Sequence, residues 1–127
     1  MIETGIFNAL SALTNLTVYP LVIPNTALEG VTYQRISDPE LDTGMVRTGL
    51  VAARFQISFI KVADYNGLLE LDGKLWRDWR AIRHGDIGGC PVQYVERGTL
   101  RQSNVTLTDN QVQYRISRDF IIYTNEA

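Results

Sequence analysis

The chain has 127 residues, enough for one domain that hides roughly two-thirds of its unfolded surface, and a formal charge of −2. Its 12 basic and 14 acidic residues are mixed along the chain, which argues against a general nucleic-acid binder with a basic face, though not against a protein that lets DNA slide past. The single cysteine, Cys90, excludes an intrachain disulfide framework and a cysteine-rich zinc site.

Residues 2–14 read as a first helix: Ile2, Ile6, Ala9, Leu10 and Leu13 recur at helical spacing, and Glu3 sits at the positive end of the helix dipole. Residues 17–20 follow as a short extended segment, and Pro20 and Pro24 forbid a central strand, so residues 19–24 read as an extended connector. Residues 31–37 form the first clear strand, with Val31, Tyr33 and Arg35 on one side and Thr32, Gln34 and Ile36 on the other. Residues 38–44 are polar, acidic and broken by proline and glycine, which is the strongest loop signal in the chain. In the second long strand, residues 50–62, Val51, Ala53, Phe55, Ile57 and Phe59 alternate with Ala52, Arg54, Gln56 and Ser58.

Asp64 is placed to cap a helix over residues 65–84, with Tyr65, Leu68, Leu69, Leu75, Trp76, Trp79 and Ile82 as its apolar stripe and Gly85 as its terminator. Such a helix is about 30 Å long, enough to cross a four-stranded sheet. Residues 85–89 read as a flexible connector and residues 91–97 as a third strand, which Gly98 kinks; a turn is expected near Asp109 and Asn110. The terminal strand, residues 111–124, sets Val112, Tyr114 and Ile116 against Gln113, Arg115 and Ser117, then turns apolar on both sides at Phe120, Ile121, Ile122 and Tyr123. A domain this small seldom covers so much sheet alone, so the pattern points to cover from outside the protomer. The element order is α-β-β-α-β-β, and the expected fold is α+β: a mostly antiparallel sheet of four or slightly more strands with two helices packed on one face.

No signal-peptide pattern opens the chain, no apolar run approaches the ~20 residues of a membrane span, and the expectation is a soluble intracellular protein. Its two glycosylation-like triplets, at Asn15 and Asn104, are then accidental. His84, Asp86 and Cys90 are the one close grouping that suggests a nucleophile with its base. Thiol catalysis needs an oriented base and an oxyanion site, and nothing in the sequence fixes either, so a helix-end histidine and a small buried cysteine are the preferred reading. The glycines at 85, 88 and 89 lack the lysine and hydroxyl of a phosphate loop. Asp38, Glu40 and Asp42 lack the glycine and terminal glutamate of a calcium loop. Arg77, Arg80 and Arg83 read as a solvated helix face, and Trp76 and Trp79 as core. No catalytic residue, metal site or cofactor is assigned.

The order of segments carries a further signal. Val18-Tyr19-Pro20, Ile23-Pro24, Tyr33-Gln34-Arg35-Ile36-Ser37, Arg54-Phe55-Gln56-Ile57, Tyr65 opening a leucine-bearing helix, and Tyr114-Arg115-Ile116-Ser117-Arg118-Asp119-Phe120 follow one another along nearly the whole chain. This succession resembles the tail-completion, or tail-terminator, proteins of long-tailed bacteriophages; residues 85–110 are where the likeness stops. The resemblance implies a small α+β protomer that assembles into a ring, expected to be a hexamer, on the head-proximal end of the tail tube. There it ends tube polymerisation and offers the surface that joins the head. Its implied partners are further copies of itself, the tail tube protein and the head–tail connector; DNA passes through without specific binding, and the protein resides in the virion. Residues 38–49 are assigned a partner-facing or lumen-facing role, with Asp38, Glu40, Asp42 and Arg47 as the candidate residues. A head-side neck connector or stopper, a small enzyme or ligand-binding domain using residues 84–90, and a nucleic-acid module are the alternatives.

Overall fold

A computed structural model gives the fold and describes residues 2–43 and 46–125. In chain order it runs through helix α1 (Ile2–Leu13), strands β1 (Val18–Pro20), β2 (Gly30–Ser37), β3 (Glu40–Thr43) and β4 (Val46–Val62), helix α2 (Tyr65–Arg80), and strands β5 (Arg83–Ile87), β6 (Cys90–Thr106) and β7 (Val112–Asn125). The class is α+β. The sheet is larger than the expected four strands, however: seven strands in the order β1-β2-β4-β7-β6-β5, with β3 paired to β4 off that path. Only β1 and β2 run parallel.

One core lies between the sheet and the two helices. Ile2, Ile6 and Leu10 recur every four residues and bury the inner stripe of α1. Leu68, Leu75 and Trp79 do the same for α2, and Asp64 caps that helix as expected, its Oδ1 accepting from the Gly67 amide at 3.0 Å. Opposite them stand Val51, Ala53, Phe55, Ile57 and Phe59 of β4, the side that its alternation marks as inward, together with Ile116, Phe120 and Ile122 of β7. Trp79 meets Phe120 edge-on at 4.9 Å between ring centroids, and Trp76 lies at 6.2 Å from the same ring. Leu69, expected in the α2 stripe, is exposed, and Leu71 packs against the core in its place.

The expected order α-β-β-α-β-β gains three strands, β1, β3 and β5, and other boundaries shift with them. The short segment at residues 18–20 joins the sheet as its edge strand, where Pro20 sacrifices no central ladder bond. Helix α2 ends at Arg80 instead of residue 84. Ile82 turns back onto the Trp79 carbonyl at 3.1 Å, His84 adopts a left-handed φ of 53°, and residues 83–87 become β5. The glycines read as a flexible connector are a tight hairpin turn: Ile87 pairs with Cys90, and Gly88 and Gly89 take φ of 55° and 90°, as a two-residue turn with positive φ at both positions requires. That turn packs on α1 so closely that a Cβ at Gly88 would collide with the Gly5 carbonyl oxygen. Finally, β6 extends from residue 90 to 106, through the polar stretch beyond the expected strand 91–97, because β7 pairs along its length to Thr106; the turn follows near Asp109 and Asn110 as expected. Gly98 sits at the register shift between Arg97 and Leu100, the kink that the glycine foretold.

Candidate functional site

The acidic segment expected to be a loop is a strand and half of a hairpin. β2 passes a register shift after Arg35 and ends with Ser37 opposite Arg54, and the chain resumes along the same neighbour as β3, with Glu40 opposite Val51 and Asp42 opposite Arg47. The Ala52 amide donates to the Pro39 carbonyl at 2.9 Å, so the ladder continues through the proline-containing break. Proline forbids a donor at one position only, and Pro39 uses its carbonyl to pair; that is why an acidic, proline-bounded text still makes strand. Of the four candidate residues, Asp38 lies in the break, Glu40 and Asp42 lie in β3, and Arg47 lies in β4 on the same rung as Asp42. Gly44 and Met45, and the side chains of residues 42–48, lie outside the described residues. Among the described residues the register of β4 with β7 ends at Leu50 opposite Asn125, and Val46 and Arg47 pair with Thr43 and Asp42 of β3 as a two-stranded ribbon.

The root of this ribbon is tied to the first helix. Arg35 forks onto Glu3 of α1, Nε and Nη2 donating to the two carboxylate oxygens at 2.9 and 2.8 Å, and its Nη1 donates to Asp38 at 3.1 Å. The guanidinium also lies 5.2 Å from the centre of the Phe55 ring. Burial pushes the Glu3 carboxyl up, but the Arg35 hydrogen bond, a backbone hydrogen bond and the arginine charge outweigh it and hold the group below its ordinary 4.5. A carboxylate lowered in this way stabilises the fold above its unfolded pKa and loses that contribution as pH falls through the folded value. The window therefore lies below about pH 4.5. Glu3 is a third exposed, so solvent screening limits the contribution to less than about 1 kcal/mol. The stability difference between the native chain and Glu3→Gln, measured by urea unfolding, should shrink from pH 7 to pH 3.5. A difference that stays constant would count against the pair.

The grouping His84, Asp86 and Cys90 is drawn apart by the β5–β6 hairpin. Register places His84 beside Gln93, which its Nδ1 contacts, and this is three rungs from the Ile87–Cys90 pair. Three rungs along a strand are about 10 Å, and an odd step points side chains to opposite faces. Asp86 accepts from the Gly89 amide at 3.0 Å within the turn, and Cys90 Sγ faces the Pro91 carbonyl at 4.0 Å. His84 and Cys90 therefore form no base–nucleophile pair here. Among the described residues, no group of three or more His, Cys, Asp or Glu is placed to hold a metal ion, and no helix is long and apolar enough to cross a membrane.

The surface that sequence reasoning did not assemble is the face of the sheet away from the helices. Pairing across four strands aligns Thr32, Ser58, Ser117 and Arg101 in one row, and Gly30, Ile60, Arg115 and Ser103 in the next. The curled sheet makes the first of these rows, with Arg115 and Ser103 of the second and Gln34 and Gln56 beside it, the floor of a trough of about 410 Å³ that Leu21 and Val22 also line. Thr32, Ser58 and Ser117 are buried in the floor, and the Ser58 and Ser117 hydroxyls share a hydrogen bond at 2.8 Å. Arg101 and Arg115 are exposed at the rim, and no acidic side chain lines the trough. Its signal was present in pieces, since the second side of each strand reads polar: Thr32 and Gln34, Gln56 and Ser58, Arg115 and Ser117. Beyond the trough the same face turns partly apolar. Ile121 and Tyr123 are half-buried there, with the Tyr123 hydroxyl donating to Glu96 at 2.9 Å and the Tyr94 ring 6.2 Å away, so the chain itself supplies part of the cover expected from outside. No protein-family model matches this chain, and a search of curated proteins finds no match.

Proposed function

We propose that this chain is a tail-terminator protein of a long-tailed bacteriophage, forming a ring, expected to be hexameric, on the head-proximal end of the tail tube. It ends tube polymerisation and presents the surface that the head–tail connector joins, while DNA passes through the ring without being held. The proposal starts from the order of strand and helix segments across the chain, and one structural observation carries it further: the β3–β4 ribbon, whose rungs at Val46 and Arg47 lie beyond the described pairing of β4 with β7. A lone two-stranded ribbon is marginal in water, so an element of this shape gains from packing on a neighbouring surface. Its position also fits the partner-facing role of Asp38, Glu40, Asp42 and Arg47. A cyclic assembly joins unlike patches head to tail, and a molecule with an acidic ribbon at one place and a bare, curled sheet face at another offers two such patches.

The reading makes a direct demand on the ribbon. Deleting residues 39–45 should leave a protomer with a cooperative thermal transition, because its core lies between the helices and the sheet. Phage carrying the deletion should accumulate filled heads and tails that do not join. Normal infectious particles from that deletion would rule the reading out.

A further inference from the structure

The two unlike patches also fit each other. We infer that the acidic β3 strand of one copy lies across the arginine-rimmed trough of the next. Charge, spacing and shape support the contact, which rests on the ring reading above.

Charge comes first. The chain is acidic overall, yet its trough carries Arg101 and Arg115 and no lining carboxylate. Other arginines are engaged within the chain: Arg35 on Glu3 and Asp38, Arg118 on Asp72, and Arg83 and Arg97 over the rings of Tyr94 and Trp76. Arg101 and Arg115 have no hydrogen-bonding or ion-pair partner among the described residues. Asp119 stands on the same face, one row beyond the Ser117 row and beside Gln56. Two neighbouring guanidinium groups without carboxylates form a receptor for paired anionic oxygens.

Spacing comes second. Arg101 faces Ser117 and Ser103 faces Arg115, so the arginines occupy one diagonal of a four-residue square, about 7–8 Å apart. β3 carries Glu40 and Asp42 two residues apart, a separation of about 7 Å along a strand. Shape comes third: the trough is bare because both helices pack on the other face, and β3 lies at an outer edge, paired only with β4. The two surfaces lie on different strands of the same chain, so the contact suits a head-to-tail arrangement that forms a ring where the rotation closes.

The test uses the full chain in sedimentation velocity over a range of concentration and salt, with circular dichroism to establish folding. Arg101→Glu with Arg115→Glu should weaken self-association at least about tenfold, and Glu40→Lys with Asp42→Lys should do the same. In their equimolar mixture each variant's strand meets a trough of opposite charge, so assembly should return with the two variants alternating. The chain carrying all four changes should regain assembly. Arg101→Gln with Arg115→Gln, which adds no repulsion, should give a smaller loss and serves where charge reversal impairs folding. Undiminished association of folded trough variants would overturn the contact, as would a native chain that stays monomeric throughout. A short fluorescent DNA duplex supplies the other arm: loss of salt-sensitive DNA binding by trough variants whose self-association is intact would assign the arginines to nucleic acid instead. If the variants dissociate but phage tails carrying them are joined and of normal length, the contact stands and the tail-terminator reading fails.

Discussion

Replacing Asp72 with alanine is expected to destabilise the fold by about 3–5 kcal/mol, as removal of one member of a buried ion pair does. Asp72 lies on the core side of α2, and its carboxylate receives Nη2 and Nε of Arg118 from β7 at 3.0 and 3.4 Å. The two side chains are 11% and 13% exposed, so the guanidinium left behind keeps little water. Its remaining partner is the Gly98 carbonyl at 3.5 Å, at the edge of hydrogen-bonding distance. Domains of this size are stable by only about 5–15 kcal/mol, so the midpoint of urea unfolding should fall by roughly a fifth or more. Asp72→Asn should cost less, because it keeps one acceptor. Removing both partners, Asp72→Ala with Arg118→Ala, should cost clearly less than the sum of the single changes. A loss under about 1 kcal/mol for Asp72→Ala would mean that the pair behaves as a surface bridge.

Phe120→Ala should have an effect of similar size, about 3–5 kcal/mol, through a cavity at the centre of the core. Phe120 is fully buried, faces Phe55 across the β4–β7 ladder, and takes the edges or faces of both tryptophans. Both tryptophans of the chain pack on this one ring, so the change carries its own optical readout: the near-ultraviolet circular dichroism of Trp76 and Trp79 should weaken in the folded variant. Phe120→Leu should recover most of the stability and little of that signal. A stable Phe120→Ala chain with an unaltered tryptophan spectrum would contradict the packing described here.

These residues also mark how far the sequence can be read. Phe55 was legible because its strand alternates strictly enough to name the inward side; Phe120 lies where the terminal strand turns apolar on both sides, so only its pairing opposite Phe55 reveals which way it faces. Asp72 was missed, although its position betrays it: four residues after Leu68 and three before Leu75, it falls on the apolar stripe, where a carboxylate needs a partner. That partner lies 46 residues away, beyond local pattern. The ribbon at residues 38–49 was read as a loop because turn-forming residues dominate it, whereas strand formation there depends on a neighbour, β4, that supplies the ladder. The polar stretch of β6 misled for the same reason: its side chains are exposed, so no burial period marks the strand, and only pairing with β7 reveals it. The trough could not be assembled from sequence because its floor draws one residue each from four strands, and their register is a property of the folded sheet.

The most direct test of the central claim is electron microscopy of phage particles assembled without this chain, with tail lengths measured on every particle. The account predicts tubes of unregulated, excessive length, detached from DNA-filled heads. Tails of normal length beside emptied heads, or intact particles indistinguishable from those that contain the chain, would contradict it.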